Sequence, residues 1–321
     1  MALSIGQQGT AAGAAWAVAA VTCFSINDVL IKLLSGGYAL HQVILTRSFV
    51  GMAILFAVIV PLTGGLGQLR TRRLGMHLVR GLCVVFSNLC FFMALAALPL
   101  AEAVAIFFVS PLLISVFSVV FLGEYVGPRR WAAIAVGFVG VLIVLRPGSE
   151  AFQIAAILPL AAAVGYATLH TLTRRLGSTE SATALAFYIQ VIFLVTSGSV
   201  GLAVGHGAYD TGVHPSLSFL LRGWIWPAPQ DFAMMCCIGL TSILGGFSIS
   251  QAYRLSEAGL VAPFEYAAMP LAVFFGFTVF GEWPDLWAWF GIALILTAGL
   301  VLIWREAVAR RSAGSRPPDA R

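Results

Sequence analysis

Five ionisable side chains stand where a mostly apolar sequence offers them little water. Asp28 and Lys32 lie in the first hydrophobic run, Arg47 in the second, His170 in the sixth and Glu265 in the ninth. At membrane depth an ionisable group costs about 2.5–3.5 kcal/mol on insertion scales, so each needs a partner or a task. Ser25, Asp28 and Lys32 fall at i, i+3 and i+7, on one helix face. Asp28 and Lys32 can pair at i,i+4. That stripe suits either a self-neutralising pair with Lys32 snorkelling outward, or a polar wall lining a central cavity. Arg47 cannot shed its charge, and Asp28 is its natural partner across the first two helices. An anionic group on a bound molecule is the other partner it could take.

Glu265 is the sharpest signal. It lies two residues after Pro263 and just before Tyr266, with no cation three or four residues away on its own helix. Desolvation favours the protonated form of a carboxyl. The position therefore suits a proton-coupling site or a counter-charge for an amino or other cationic group. The structural alternative pairs it with His170 or Arg47 across the bundle, or lets it reach cytoplasmic water. Tyr166, His170 and Arg174 fall at i, i+4 and i+8. A lone histidine of this kind serves packing as readily as proton transfer. Asn88, Gln190 and Gln251 could line the same cavity or act as interhelical glue. Glu102 opens the fourth run, while Glu124 and Glu282 close the fourth and ninth.

The chemistry that is missing narrows the field. There is no Walker-type phosphate loop, no His-Glu-x-x-His helix, no Gly-x-Ser-x-Gly elbow and no acidic metal cluster. No cofactor, metal or enzymatic reaction is expected. The five cysteines sit inside apolar runs without metal-ligand spacing, as small hydrophobes do.

The elements that must position these residues follow from composition. Of the 321 residues, 60% are hydrophobic and only 10% charged. Soluble domains carry about a quarter charged residues, so lipid must be the outer solvent. Lipid leaves only helices or a closed barrel, and near-continuous apolar runs of this length are helical. Ten spans are expected: 14–34, 40–61, 76–98, 101–122, 130–146, 153–173, 182–204, 232–253, 258–280 and 286–304. Most linkers are short. The exception, 205–231, is rich in Gly, Pro and Trp, with Trp224 and Trp226 placed as interfacial anchors. The first run lacks a basic leader and is expected to be a retained helix. Residues 305–321 are expected to form a disordered cytoplasmic tail. With a cytoplasmic N-terminus, inner loops and adjoining helix ends hold 14 of the 18 basic residues. The positive-inside bias thus places both termini in the cytoplasm, and the net charge of +5 calls for no nucleic acid.

The chain also repeats itself. Leu122-Gly123-Glu124 and Phe280-Gly281-Glu282 stand 158 apart, Pro111 and Pro270 159 apart, and Ala94 and Ala252 158 apart. A Trp-initiated apolar run follows each Gly-Glu, at Trp131 and at Trp287 or Trp289. Ala133 and Gly137 in the first of these runs have the spacing of close helix packing. Lys32 and Arg174 close the first and sixth runs. Residues 14–146 therefore correspond to 153–304. Five spans per half is odd, so the second copy lies upside down. Inverted repeats of this kind place a substrate site near the midplane between the halves.

With Asn27-Asp28, Lys32, Arg47, the paired Pro-Leu and Gly-Glu motifs, and Ala262-Pro263-Phe264-Glu265-Tyr266, the chain resembles the EamA-type transporters of the drug/metabolite transporter superfamily. The likeness covers all but the 205–231 loop and the tails. It implies an all-α bundle of ten transmembrane helices in two inverted five-helix repeats, in a bacterial inner membrane. It also implies a small-molecule substrate moved by exchange, downhill or with protons. Glu265, Asp28, Lys32, Arg47, His170, Tyr266, Asn88 and Gln251 are the expected binding or coupling residues. Export is the first expectation. Uptake of a metabolite such as S-adenosylmethionine is the alternative, and a non-transporting sensor or membrane-embedded enzyme the different-class one. Membrane lipid is an expected partner, and a homodimer is compatible with the reading.

Overall fold

A computed structural model describes residues 5–123, 127–148, 153–176, 181–255 and 264–314. Among these residues all regular structure is helical. Nine helices of 18–24 residues, with mean hydropathy between 1.5 and 2.6, are long and apolar enough to cross a bilayer. The rise of about 1.5 Å per residue makes some 20 residues the requirement for a core about 30 Å thick.

In chain order, α1 is Ile5–Leu34, α2 Leu40–Thr63, α3 Leu74–Leu95, α4 Leu100–Leu122 and α5 Pro128–Leu145. They are followed by α6 Ile157–Leu176, α7 Ala182–Val204, α8 Pro229–Leu255, α9 Ala268–Phe280 and α10 Leu286–Gly314. A short helix, Pro215–Leu221, lies in the 205–231 loop. α9 has only 13 residues, and residues 256–263, where the expected ninth span begins, lie outside the described set. Glu124 and the Arg174 and Arg175 side chains also fall outside it. α10 runs past the expected end of its span at 304 to Gly314.

Proline shapes three of these helices. α2 widens into a π turn at Leu55–Ile59 just before Pro61. Proline lacks the N–H that would continue the ladder. α4 breaks at Phe108 and Val109, three and two residues before Pro111. The same break occurs at Tyr266 and Ala267, ahead of Pro270. In both cases the proline ring would collide with the carbonyl four residues back. Each helix then ends on a left-handed glycine, Gly123 and Gly281, both with φ 68°. A side chain there would be strained.

Packing follows a regular scheme. α1 lies on α8, and α3 on α6; α2 packs with α7, and α5 with α10. α4 touches both α6 and α9, while α9 touches α1. Asn27 donates to the Ile238 carbonyl at 3.2 Å and to Ser242 Oγ at 2.7 Å, tying α1 to α8. Ser87 donates to the Ala162 carbonyl at 2.8 Å, tying α3 to α6. α5 and α10 approach through Gly140 and Gly291. A Cβ on either would stand 2.9 or 2.7 Å from the other's carbonyl oxygen. Ala133 and Gly137 are buried on the same face of α5.

The long loop folds back onto the bundle. Arg222 donates to the Ser35 carbonyl at 2.9 Å, and the Trp224 ring N–H donates to His41 Nδ1. Trp224 leans over Gly201, whereas Trp226 is 96% exposed.

Candidate functional site

The bundle interior links its charges through a run of aromatic rings. Arg47 of α2 is 5% exposed, its guanidinium carbon 5.5 Å from the Phe92 ring centroid and 4.6 Å from that of Phe193. Phe92 comes from α3 and Phe193 from α7. A desolvated cation over an aromatic face gains about 2 kcal/mol, so the two rings help hold the buried charge. Arg47 Nε has no hydrogen-bond partner. Asp28 of α1 lies in electrostatic range of Arg47 without a direct ion pair. Asp28 is half-buried.

From this charge pair the rings continue across the bundle. Phe92 neighbours Phe91 at 6.2 Å, Phe91 meets Phe107 at 5.1 Å, and Phe107 meets Tyr166 edge-on at 5.4 Å. Tyr166 lies 4.4 Å from His170, one turn along α6. Glu265 acts electrostatically on both Tyr166 and Tyr266. Tyr266 stacks on Phe108 at 4.8 Å, so the two proline-induced breaks meet ring to ring. The Tyr266 hydroxyl is buried without a hydrogen-bond partner and rests over Gly299, where an added Cβ would come within 1.8 Å. The result is an aromatic ladder with Asp28 and Arg47 at one end and Glu265 at the other. Its rings come from α3, α4, α6, α7 and the residues just before α9. Asn88, half-buried one turn before Phe91 and Phe92, shares their face of α3.

Lys32 departs from expectation. Its ammonium stands 3.0 Å from Glu282 Oε1, and it donates to the carbonyls of Leu95 (3.2 Å) and Leu98. Asp28 is not its partner. The last carbonyls of a helix have no intrahelical donor, and a cation is favoured there. The ammonium therefore reaches past Asp28 to the end of α3 and to a full negative charge. Glu282, which the sequence marks only as the close of a repeat, holds Lys32 with one oxygen. Its other oxygen accepts the Leu100 N–H at 2.9 Å, at the start of α4. Nearby, Arg146 bonds Asp285, and Glu102 lies in electrostatic range of both pairs. Asp285 also accepts the Ala288 N–H. The Arg146 bond first, then that N–H, hold its carboxyl below the usual carboxylate range. Gln251 sits beside Ala252, which packs on Ala17, and no described contact joins it to the ladder.

Phe91, Phe92, Phe107, Phe108 and Phe193 carried no sequence signal. A phenylalanine in a membrane helix is equally at home facing lipid, and only the packing turns these five inward.

The sequence pattern of the EamA-like transporter family matches residues 11–146. A riboflavin transporter from Rhizobium johnstonii is 32% identical over 92% of this chain and 91% of its own. The chain belongs to the EamA-like transporter family. As an EamA-type transporter of the drug/metabolite transporter superfamily it is a multi-pass membrane protein. An S-adenosylmethionine uptake transporter from Rickettsia bellii is 26% identical over 92% of the chain and 95% of its own. A crystal structure covering 94% of this transporter and 98% of its own chain superposes with a TM-score of 0.62 at 20% identity, a likeness of fold. Among the described residues no group of three or more His, Cys, Asp or Glu could hold a metal.

Proposed function

We propose that this EamA-type transporter carries a flat heteroaromatic metabolite, riboflavin first, inward across the bacterial inner membrane. The observation that carries the reading is the aromatic ladder. A planar ring system slides between stacked and edge-on rings with favourable contact at each step. Asp28, Arg47 and Glu265 would meet its polar edges. The name of the Rhizobium johnstonii relative supports the substrate, and that of the Rickettsia bellii relative supports inward movement. S-adenosylmethionine is the second candidate, because the carboxylates at both ends of the ladder suit a cationic ligand.

The mechanism is alternating access between two inverted halves, 14–146 and 153–304, in a ten-span bundle with both termini inside. Three features support it. Advancing every helix by five turns the α1–α8 contact into α6–α3, α2–α8 into α7–α3, and α4–α6 into α9–α1, while α2–α7, α4–α9 and α5–α10 return to themselves. Phe108 and Tyr266, 158 residues apart, stack on each other. The glycine caps at 123 and 281 have the same φ.

The test is uptake of radiolabelled riboflavin by proteoliposomes holding the pure protein. Saturable entry that excess unlabelled riboflavin blocks is expected. Entry of S-adenosylmethionine instead would hand the assignment to the cationic ligand.

A further inference from the structure

We infer that Lys32 and Glu282 form the latch that closes one mouth of the transport path. The inference rests on the transporter reading above and adds the residues that gate it. Four chain segments converge on this contact. Lys32 ends α1, Leu95 and Leu98 end α3 and its linker, Leu100 begins α4, and Glu282 follows α9. Phe280 lies 5.2 Å beneath the ammonium. Lys32 belongs to the first half of the chain and Glu282 to the second, so the two halves cannot part at this end until the bond breaks.

The bond is suited to breaking. The Lys32 and Glu282 side chains are 11% and 28% exposed, so neither is sealed inside the bundle. Water can replace each partner as they separate, so parting them carries little of the penalty of a buried pair. As the halves part, Glu282 must also release the Leu100 N–H, which belongs to the first half, and Glu102, a like charge in electrostatic range of Glu282, favours the release. Lys32 lies one turn beyond Asp28 on the same face of α1. A ligand that shifts α1 at the Asp28–Arg47 end of the ladder therefore moves the latch directly. By the basic-residue bias this mouth is the outer one.

The experiment uses the full chain with its five native cysteines replaced, and places the pair Lys32→Cys and Glu282→Cys. A reducible bis-methanethiosulfonate linker joins the two thiols, and Asn88→Cys in a parallel background reports access to the interior. With the linker in place, riboflavin uptake should fall at least tenfold and return on reduction. Glu282→Gln should speed labelling of Asn88→Cys by a membrane-impermeant maleimide severalfold from the outer face. The labelling needs no substrate, so faster labelling without riboflavin entry would support the latch and reject only the substrate. Full uptake through the linked protein, or labelling that ignores Glu282→Gln, would overturn it.

Discussion

At the scale of single residues, two carboxyls make opposite demands. Glu265 acts on Tyr166 and Tyr266 at the end of the ladder away from Asp28 and Arg47, and its value lies in carrying or losing a charge. Glu265→Gln keeps the shape and removes the titration. Substrate movement or its pH dependence should be lost while the amount of protein in the membrane is unchanged. An unaltered uptake rate across the pH range would remove Glu265 from the mechanism. Asp285 is a structural group at the start of α10, held below the usual carboxylate range by Arg146 and the Ala288 N–H. A carboxyl whose folded form binds its proton less readily stabilises the fold above the ordinary value near 3.9, and that contribution vanishes as pH falls through the folded value. Asp285→Asn should therefore lower the Tm slightly at pH 7, within the roughly 0.2–1 kcal/mol of exposed pairs. The gap should shrink below about pH 4 and close once the pH falls through the folded value, measured by thermal denaturation in detergent. A gap that persists there would mean that the cap, not the charge, is what Asn fails to replace.

At the scale of elements, the helices explain why some of the site was legible and some was not. The charged positions announce themselves because lipid tolerates them only at a cost, so Asp28, Arg47, His170 and Glu265 stand out in any apolar run. Their partners do not. Lys32 looks paired with Asp28 at i,i+4, yet the open carbonyls at the end of α3 and the carboxylate of Glu282 draw it away. No spacing within one helix can reveal that competition. The proline pairs foretold a likeness between α4 and α9, but not that their breaks would bring Phe108 and Tyr266 face to face. Gly299 makes a related point, because it clears room on α10 for the Tyr266 hydroxyl. Gly299→Ala would place a methyl where that oxygen lies, and overpacking of this kind costs about 1–3 kcal/mol. Tyr266 must then leave Phe108. The expected result is a lower Tm together with slowed uptake. Gly299→Ala combined with Tyr266→Phe should recover part of the stability by removing the oxygen.

For the whole molecule, the number of crossings settles how the halves relate. Nine described helices are long enough to span a bilayer, whereas α9 is 13 residues, about 20 Å at 1.5 Å per residue. That length alone falls short of a hydrocarbon core about 30 Å thick. Residues 264–265 are helical, and the sequence from 258 onward is apolar enough to complete a span. If α9 and the residues before it cross, the chain has ten spans and its two ends share a face. If they dip in and return, it has nine, the ends lie on opposite faces, and no inverted five-plus-five arrangement is possible. Reporters fused along the chain separate the two. Alkaline phosphatase joined after Trp226, in the loop beyond α7, should be active. The fluorescent protein that matures only in the cytoplasm should glow when joined after Arg72 and again when joined after Arg321. A dark C-terminal fusion that becomes active as a phosphatase fusion would count nine crossings. The α4–α9 contact would then be a packing feature rather than an axis of alternating access.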